Sequence, residues 1–357
     1  MRIMSTMSLT RKIMFWILGA VVVFILFGLG TGMYISAPKY SGPESDHFNG
    51  RQFFNLSGIN AQGLGAVLKW ATNREKGPWQ EVKDAQYGTP PPQKTNSVRV
   101  TFINHSTFLL QIDGVNILTD PVYSKRTSPF QWAGPKRMRP PGIRFEDLPP
   151  IDYVIISHNH YDHLDEATVK RLKQEHNPRF ITPLGVAQFM ETLGITEAND
   201  LDWWQSYTVN DTLEILSVPA QHFSGRGMLD RDATLWAGYV VKRPGGNVYF
   251  AGDTGYDKEM FTEIGQKTGP FALSLIPIGA YMPEWFMSPI HTSPAEAVQI
   301  HKDIRSSQSV AIHFGTFPLA DDGQQQPIDD LMKALKGQNI SADEFWVMKE
   351  GEGRTLE

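Results

Sequence analysis

Residues 13–35 form an uninterrupted run of 23 residues without a charge, IMFWILGAVVVFILFGLGTGMYI. Hydrocarbon offers no hydrogen bonds, so a lipid-exposed backbone of this kind must satisfy its own polar groups as a helix. At 1.5 Å per residue the run extends roughly 35 Å, enough to cross a hydrocarbon core of about 30 Å. Arg2, Arg11 and Lys12 precede it, and no charge follows before Lys39. The positive-inside rule then puts residues 1–12 in the cytoplasm and the remainder beyond the membrane. For a bacterial host this means a single-pass inner-membrane protein with its main body in the periplasm. A cleaved signal peptide is the alternative, with Ala37 at the cut. The apolar run exceeds the usual core of about 7–15 residues, and Pro38 would follow the cut directly.

The rest of the 357-residue chain is long enough for one large or two modest domains. Its 33 Lys and Arg against 38 Asp and Glu leave no basic surplus for a nucleic-acid partner. It contains no cysteine, which excludes disulfides, thiolate metal sites and cysteine nucleophiles. A metal site in this chain must use histidine and carboxylate, and ten histidines are present.

Residues 36–96 read as a linker and N-terminal extension, punctuated by Gly, Asn and the row Pro90, Pro91, Pro92, with one short amphipathic helix over 63–71. Regular signals begin at residue 97. Strands are expected at 98–103, 107–112 and 115–118, with Asp113-Gly114 as a hairpin turn between the last two. Further strands are expected at 153–157, 213–218, 235–241, 248–251, 310–313 and 345–348. Helices are expected at 166–174, 185–193 and 328–335. Another starts at Ser293, where Pro294 and Glu296 complete a capping signature, and runs to about Ile304. Hairpins followed by mixed elements indicate an α/β sandwich over 97–357.

The chemistry concentrates in His158-Asn159-His160-Tyr161-Asp162-His163, directly after the apolar strand VIIS. In extended chain His158 and His160 point the same way and reach one cation. Asp162 and His163, in the next turn, face a second one. Neutral imidazole and carboxylate are good ligands for zinc. His222, Asp253 and His313 each stand where an apolar strand meets a loop, where a strand framework presents site residues. With the histidine loop they complete a binuclear site.

HNHYDH followed by His, Asp and His resembles the metallo-β-lactamase fold superfamily. The resemblance implies a four-layer αββα sandwich with metals at one edge. It implies that His158, His160 and His222 hold the first metal, that Asp162, His163 and His313 hold the second, and that Asp253 bridges them. Two Zn2+ are expected; iron and manganese accept the same donors. A narrower resemblance runs through NHSTFLLQIDGVNILTDPV, GPKRMRPPGI, VPAQHFSGRG, AGDTGY and IGAYMPEWFMSPIHTSPAEAV. These segments are similar to the phospholipase D family that hydrolyses N-acylphosphatidylethanolamine and to its bacterial relatives. That likeness implies a membrane phospholipid substrate, release of phosphatidic acid and N-acylethanolamine, and a homodimer. The same ligand set also suits a lactone, a β-lactam or a small phosphate ester. A non-catalytic membrane-tethered sensor is the remaining alternative.

Two zinc ions make hydroxide from water near neutral pH and clamp a phosphoryl oxygen, so Asp162 enters the catalytic set with the metals. The likeness to the phospholipase D family implies that His291, just before the capped helix, stands near the metal centre and the phosphate as a hydrogen-bond donor or acid. His105 and Asp120 match family motifs and are expected to orient the ligands. Tyr281, Trp285, Phe286 and Met287 form an aromatic patch suited to acyl chains, to the membrane surface or to the core. Trp203 and Trp204 read as core. Arg137, Arg139 and Arg144 are candidates for a lipid phosphate or a solvated loop. His47, His176 and His301 are expected on the polar surface.

Overall fold

The computed structural model describes residues 8–84 and 86–356. The uncharged run lies within α1 (Leu9–Tyr34), a 26-residue helix long and apolar enough to cross a membrane. Its apolar window makes no burial against the rest of the chain, and Gly32 at its foot is its one buried residue. Arg2, part of the expected cytoplasmic segment, lies outside the described residues. The amphipathic segment of the extension forms α2 (Leu64–Thr72).

The first sheet contains β1 (Val98–Asn104), β2 (Thr107–Ile112), β3 (Val115–Thr119), β4 (Tyr153–Ile155), β5 (Arg179–Pro183) and β6 (Ala198–Leu201). The second contains β7 (Ser206–Thr208), β8 (Glu214–Val218), β9 (Gly238–Lys242), β10 (Asn247–Phe250), β11 (Phe271–Pro277), β12 (Ser309–Ile312) and β13 (Phe345–Trp346). The last strand, β14 (Gly353–Thr355), returns to the first sheet, giving the orders β14-β1-β2-β3-β4-β5-β6 and β13-β12-β11-β10-β9-β8-β7. Each sheet begins as an antiparallel meander and continues in parallel. Asp113 (φ 48°) and Gly114 (φ 84°) adopt the left-handed backbone that a tight two-residue hairpin requires.

The two sheets face each other across a core that includes Phe102, Phe108, Ile117, Ile155, Trp236, Tyr239 and Phe250. Phe102 stacks on Phe108 with ring centres 4.7 Å apart and on Phe314 at 5.6 Å. Each such side chain contributes about 1.5–3 kcal/mol on burial. On the outer face of the first sheet, α3 (Glu166–Glu175) and α4 (Val186–Thr192) bury Val169, Leu172, Val186 and Met190 against Leu109, Val154 and Phe180. The other outer layer holds α5 (Lys258–Thr268), α7 (Pro294–Asp303) and α8 (Gln326–Gly337); α6 (Glu284–Met287) is a single turn between β11 and α7. The expected capping box at Ser293 is present, with the Glu296 carboxylate accepting from Ser293 N at 2.8 Å. The architecture is the four-layer αββα sandwich.

Two histidines depart from the expectation of polar surface. His301 is buried because it shares the inward face of α7 with Ala297 and Val298, and its Nδ1 lies 2.8 Å from Ser309 Oγ. His47 is buried between Asp46 and Asp202, 2.6 and 2.7 Å away, and stacks on Trp203 at 4.4 Å. That ion-pair geometry would be exposed if residues 36–96 were a free linker. Instead Phe48 and Phe53 enter the core and tie the extension to the sandwich. His176 remains partly exposed.

Candidate metal centre

The expected metal donors, with His105 and Asp120, stand where strands of the two sheets end or on the loops that follow, whereas Trp285 and Phe286 lie in α6. His105 follows β1, Asp120 follows β3 and His313 follows β12 directly, with φ of 48°, 34° and 60°. A left-handed backbone at a non-glycine residue costs of order 1–3 kcal/mol and persists where the surroundings enforce it. The histidine loop follows β4, His222 follows β8, and Asp253 follows β10.

The structure gathers these residues into two clusters, joined by two further donor groups that share Asp253: His158, His163 and Asp253, and His222, Asp253 and His291. His158, His160 and His222 place ligand atoms within 4.8 Å of one another, and so do His105, Asp162, His163 and His313. In the first, His158 Nε2 lies 2.8 Å and His222 Nε2 3.3 Å from His160 Nδ1. Asp253 Oδ2 stands between the clusters, 3.0 Å from His313 Nε2, 3.2 Å from His163 Nε2 and 3.9 Å from His222 Nε2. His291, on the more open side, has Nδ1 3.8 Å from the same oxygen. His105 is drawn into the second cluster, with Nε2 3.1 Å from Asp162 Oδ2 and its ring 4.1 Å from that of His313.

The donors fit a divalent ion. His163 Nε2, both ring nitrogens of His313, His291 Nδ1 and Asp253 Oδ1 are buried without a hydrogen-bond partner. Buried polar atoms almost always have one, so converging lone pairs need a cation or a proton between them. Imidazole and carboxylate suit zinc, iron or manganese.

The outer nitrogens fix the rings. His163 Nδ1 pairs with Asp120 Oδ2 at 2.6 Å, and Asp120 also accepts from Ser157 N at 2.7 Å and Ser157 Oγ at 2.6 Å. His158 Nδ1 is 2.9 Å from Ser157 Oγ, and His222 Nδ1 is 2.8 Å from the Ile290 carbonyl. In all three rings Nε2 is left to face the cluster, the arrangement by which neighbours orient ligand histidines. Asn55 holds the backbone of His222 from both sides, accepting from its N at 3.1 Å and donating to its O at 3.0 Å. The sequence carries no local signal for Asn55, which lies 167 residues away.

Electrostatics divide the histidines in the metal-free protein. Burial lowers His105 and His160 to about 3 and His291 to about 4, and holds His158 and His222 well below the usual range. Burial also opposes charge on His313 and His163. For His313 the Asp253 and Asp162 carboxylates outweigh it and raise the ring to about 9. For His163 the carboxylates of Asp253, Asp162 and Asp120 do the same. Burial pushes Asp120 upward, against its pair with His163. The direction of His163 decides that pair, because three carboxylates face its ring.

The aromatic patch separates into two environments. Tyr281 and Phe286 are buried; the Tyr281 hydroxyl donates to Asp330 at 2.5 Å, and Phe286 stacks on Trp70 of α2 at 4.8 Å. Trp285 is 45% exposed. Arg137 is buried and donates to the carbonyls of Val122 and Ser124, while Arg139 and Arg144 pair with Glu350 and Asp147. Trp203 is buried, donating to the Trp236 carbonyl at 2.8 Å.

Comparison with known proteins identifies the family. The family described as the beta-lactamase superfamily domain matches residues 115–314. A protein of Mycobacterium tuberculosis is 45% identical over 247 residues, 68% of this chain and 65% of that one. N-acyl-phosphatidylethanolamine-hydrolyzing phospholipase D 1 of Caenorhabditis elegans is 43% identical over 229 residues, 61% of this chain and 64% of that one. The chain thus spans just under two thirds of the length of these relatives. The solved structure of a metallo hydrolase from the archaeon Ignicoccus hospitalis aligns with TM-score 0.56 and 25% identity, covering 73% of this chain and 99% of that one. With more than half of its residues inside the family match and its site at the ends of these strands, the chain belongs to the metallo-β-lactamase superfamily.

Proposed function

We propose that the protein is a membrane-anchored binuclear zinc hydrolase that cleaves a phosphodiester bond of N-acylphosphatidylethanolamine-type phospholipids. The products are phosphatidic acid and an N-acylethanolamine. The observation that carries the reading is the pair of donor clusters meeting at Asp253. The nematode relative supports the lipid substrate by the activity in its name.

In this reading His158, His160 and His222 would hold one ion, Asp162, His163 and His313 would hold the other, and Asp253 would offer its carboxylate to both. The bound ions supply Lewis acidity at the phosphoryl group and make water nucleophilic near neutral pH. Around them the chain does the rest. Asp120, Ser157 and the Ile290 carbonyl keep the imidazoles aimed inward. His291, on the open side and neutral at neutral pH, donates a hydrogen bond from its ring N–H to the phosphate. Trp285, exposed just before His291, offers an apolar surface to an acyl chain. The exposed apolar α1, with Arg11 and Lys12 at its start, anchors the enzyme in the inner membrane with residues 97–357, the hydrolase domain, on the periplasmic side.

Mass spectrometry of products tests the reading. Detergent-purified, zinc-loaded protein is incubated with a lipid mixture containing N-acylphosphatidylethanolamine. Phosphatidic acid and N-acylethanolamine should appear and should be abolished by a chelator. No lipid turnover with both metals in place would refute the substrate.

A further inference from the structure

The loop that carries His160, Asp162 and His163 has few backbone hydrogen bonds of its own. His163 N and Leu164 N both turn back to the His160 carbonyl. The Asn159 and Leu164 carbonyls are held by one side chain from the loop between β8 and β9, Arg226, which is 5% exposed. Arg226 Nη1 donates to the Asn159 carbonyl at 2.8 Å and to the Leu164 carbonyl at 2.9 Å, closing the loop at both ends. Nη2 pairs with Glu166 at 2.9 Å, in the first turn of α3. The guanidinium lies over the Tyr161 ring, 3.9 Å from its centre, and the Tyr161 hydroxyl returns a bond to the Arg226 carbonyl at 3.1 Å. Next to it, Gly225 N donates to Asn159 Oδ1 at 2.9 Å. One planar fork therefore reaches two carbonyls, a carboxylate and an aromatic face, which a lysine ammonium cannot reproduce.

Arg226 is itself held by Asp230, which is fully buried. The Asp230 carboxylate accepts from Arg226 N at 2.9 Å, Gly227 N at 2.7 Å and Ala37 N at 2.9 Å. Ala37 is just beyond the foot of α1, where Met228 N donates to the Gly32 carbonyl at 3.0 Å and Leu229 N to Ser36 Oγ at 3.0 Å. A single carboxylate thus joins the helix foot to the residue that clamps the histidine loop.

We propose that Arg226 is a positioning residue that clamps residues 158–164 in the conformation that binds metal, and that Asp230 couples this clamp to the seating of α1. What the loop holds rests on the binuclear reading above; the clamp itself belongs to the metal-free chain. Displacement of the helix foot would pull on Asp230, relax the Arg226 backbone and loosen the four donors of residues 158–164 at once. The active centre is then sensitive to how the anchor sits.

The test compares the full chain in detergent with Arg226→Lys, Asp230→Asn and Glu166→Gln. Two readouts are taken: amide hydrogen exchange of the metal-free protein, and zinc affinity by chelator competition. Arg226→Lys should speed exchange across 158–164 by at least about 10-fold and weaken zinc by about 10–100-fold, leaving 36–40 unchanged. Asp230→Asn should speed exchange in both segments and weaken zinc as well. Glu166→Gln, which touches one arm of the fork, should stay within about 2-fold in zinc affinity. Wild-type exchange and affinity in Arg226→Lys would overturn the clamp. Faster exchange at 36–40 alone in Asp230→Asn would overturn the coupling. If Arg226→Lys does not fold, the milder Asp230→Asn decides both points. A wild type that takes up no metal, while Arg226→Lys still loosens the loop, would sink the metal reading and leave the clamp standing.

Discussion

Replacing Asp120 with Asn tests whether the site depends on the direction in which a histidine holds its proton. The carboxylate accepts three hydrogen bonds of 2.6–2.7 Å, from Ser157 N, Ser157 Oγ and His163 Nδ1. An amide of nearly the same size keeps one acceptor, which can stay on Ser157 N. Its NH2 then faces Ser157 Oγ and His163 Nδ1. The hydroxyl can rotate to accept, and the neutral His163 ring, the form that binds metal, can accept only by carrying its proton on Nε2 instead of Nδ1. That nitrogen faces Asp253 at 3.2 Å and is the one needed as a lone-pair donor. The fold loses about 1–3 kcal/mol for one weakened charged bond, which a sandwich with this core tolerates. The second metal should weaken by about 10–100-fold, the usual cost of losing a group that orients a ligand. Chelator competition with metal analysis measures the affinity, and 15N NMR of the imidazole reports the tautomer. Asp120→Asn protein that binds two metals with wild-type affinity would refute the reasoning.

Three further outcomes are expected. Asp253→Ala removes the oxygen shared by both clusters, so at least one metal and activity should be lost; metal analysis showing two ions with full turnover would contradict the bridge. His291→Ala should keep both metals and lower kcat, because its ring stands on the open side, 3.8 Å from Asp253 Oδ2; loss of a metal would make His291 a ligand. Zinc affinity should rise with pH up to about 9, because metal displaces the proton that the carboxylates hold on His313. The metal-free protein behaves oppositely. A raised folded-state pKa stabilises fully below the unfolded value of about 6.5 and is lost as pH rises through about 9. Titrations of zinc affinity and of metal-free melting temperature should therefore slope in opposite directions between those limits.

The sequence was most legible where local patterning and tertiary structure agree. Asp113-Gly114 needs two left-handed residues and becomes the β2–β3 turn. Ser293 to Glu296 caps α7 within its own turn. The candidate donors were legible because three His and one Asp crowd into six residues after an apolar strand, and because His222, Asp253 and His313 each stand where a strand meets a loop. What escaped depended on partners far along the chain. β11 reads FALSLIP, buried nearly throughout between neighbouring parallel strands, so it lacks the alternation that marks an amphipathic strand. β14, of three residues, is defined by pairing with β1, 254 residues earlier at the Thr355–Arg99 pair (256) and the Gly353–Thr101 pair (252) taken about their middle. Arg226 stood inside the quoted segment VPAQHFSGRG. Its role became visible once the Asn159 and Leu164 carbonyls were placed against it.

The site residues come from loops of both sheets, with His105, the orienting Asp120 and the 158–163 loop on one side and His222, Asp253 and His313 on the other. Their spacing is therefore inherited from the thickness and alignment of the core between the sheets. The site works as a caliper: a slight shear of one sheet over the other changes both clusters together. Mutations at Phe102 or Phe108, which stack on each other in the core between the sheets, would be read out as altered spacing of the donor side chains before they are read out as unfolding.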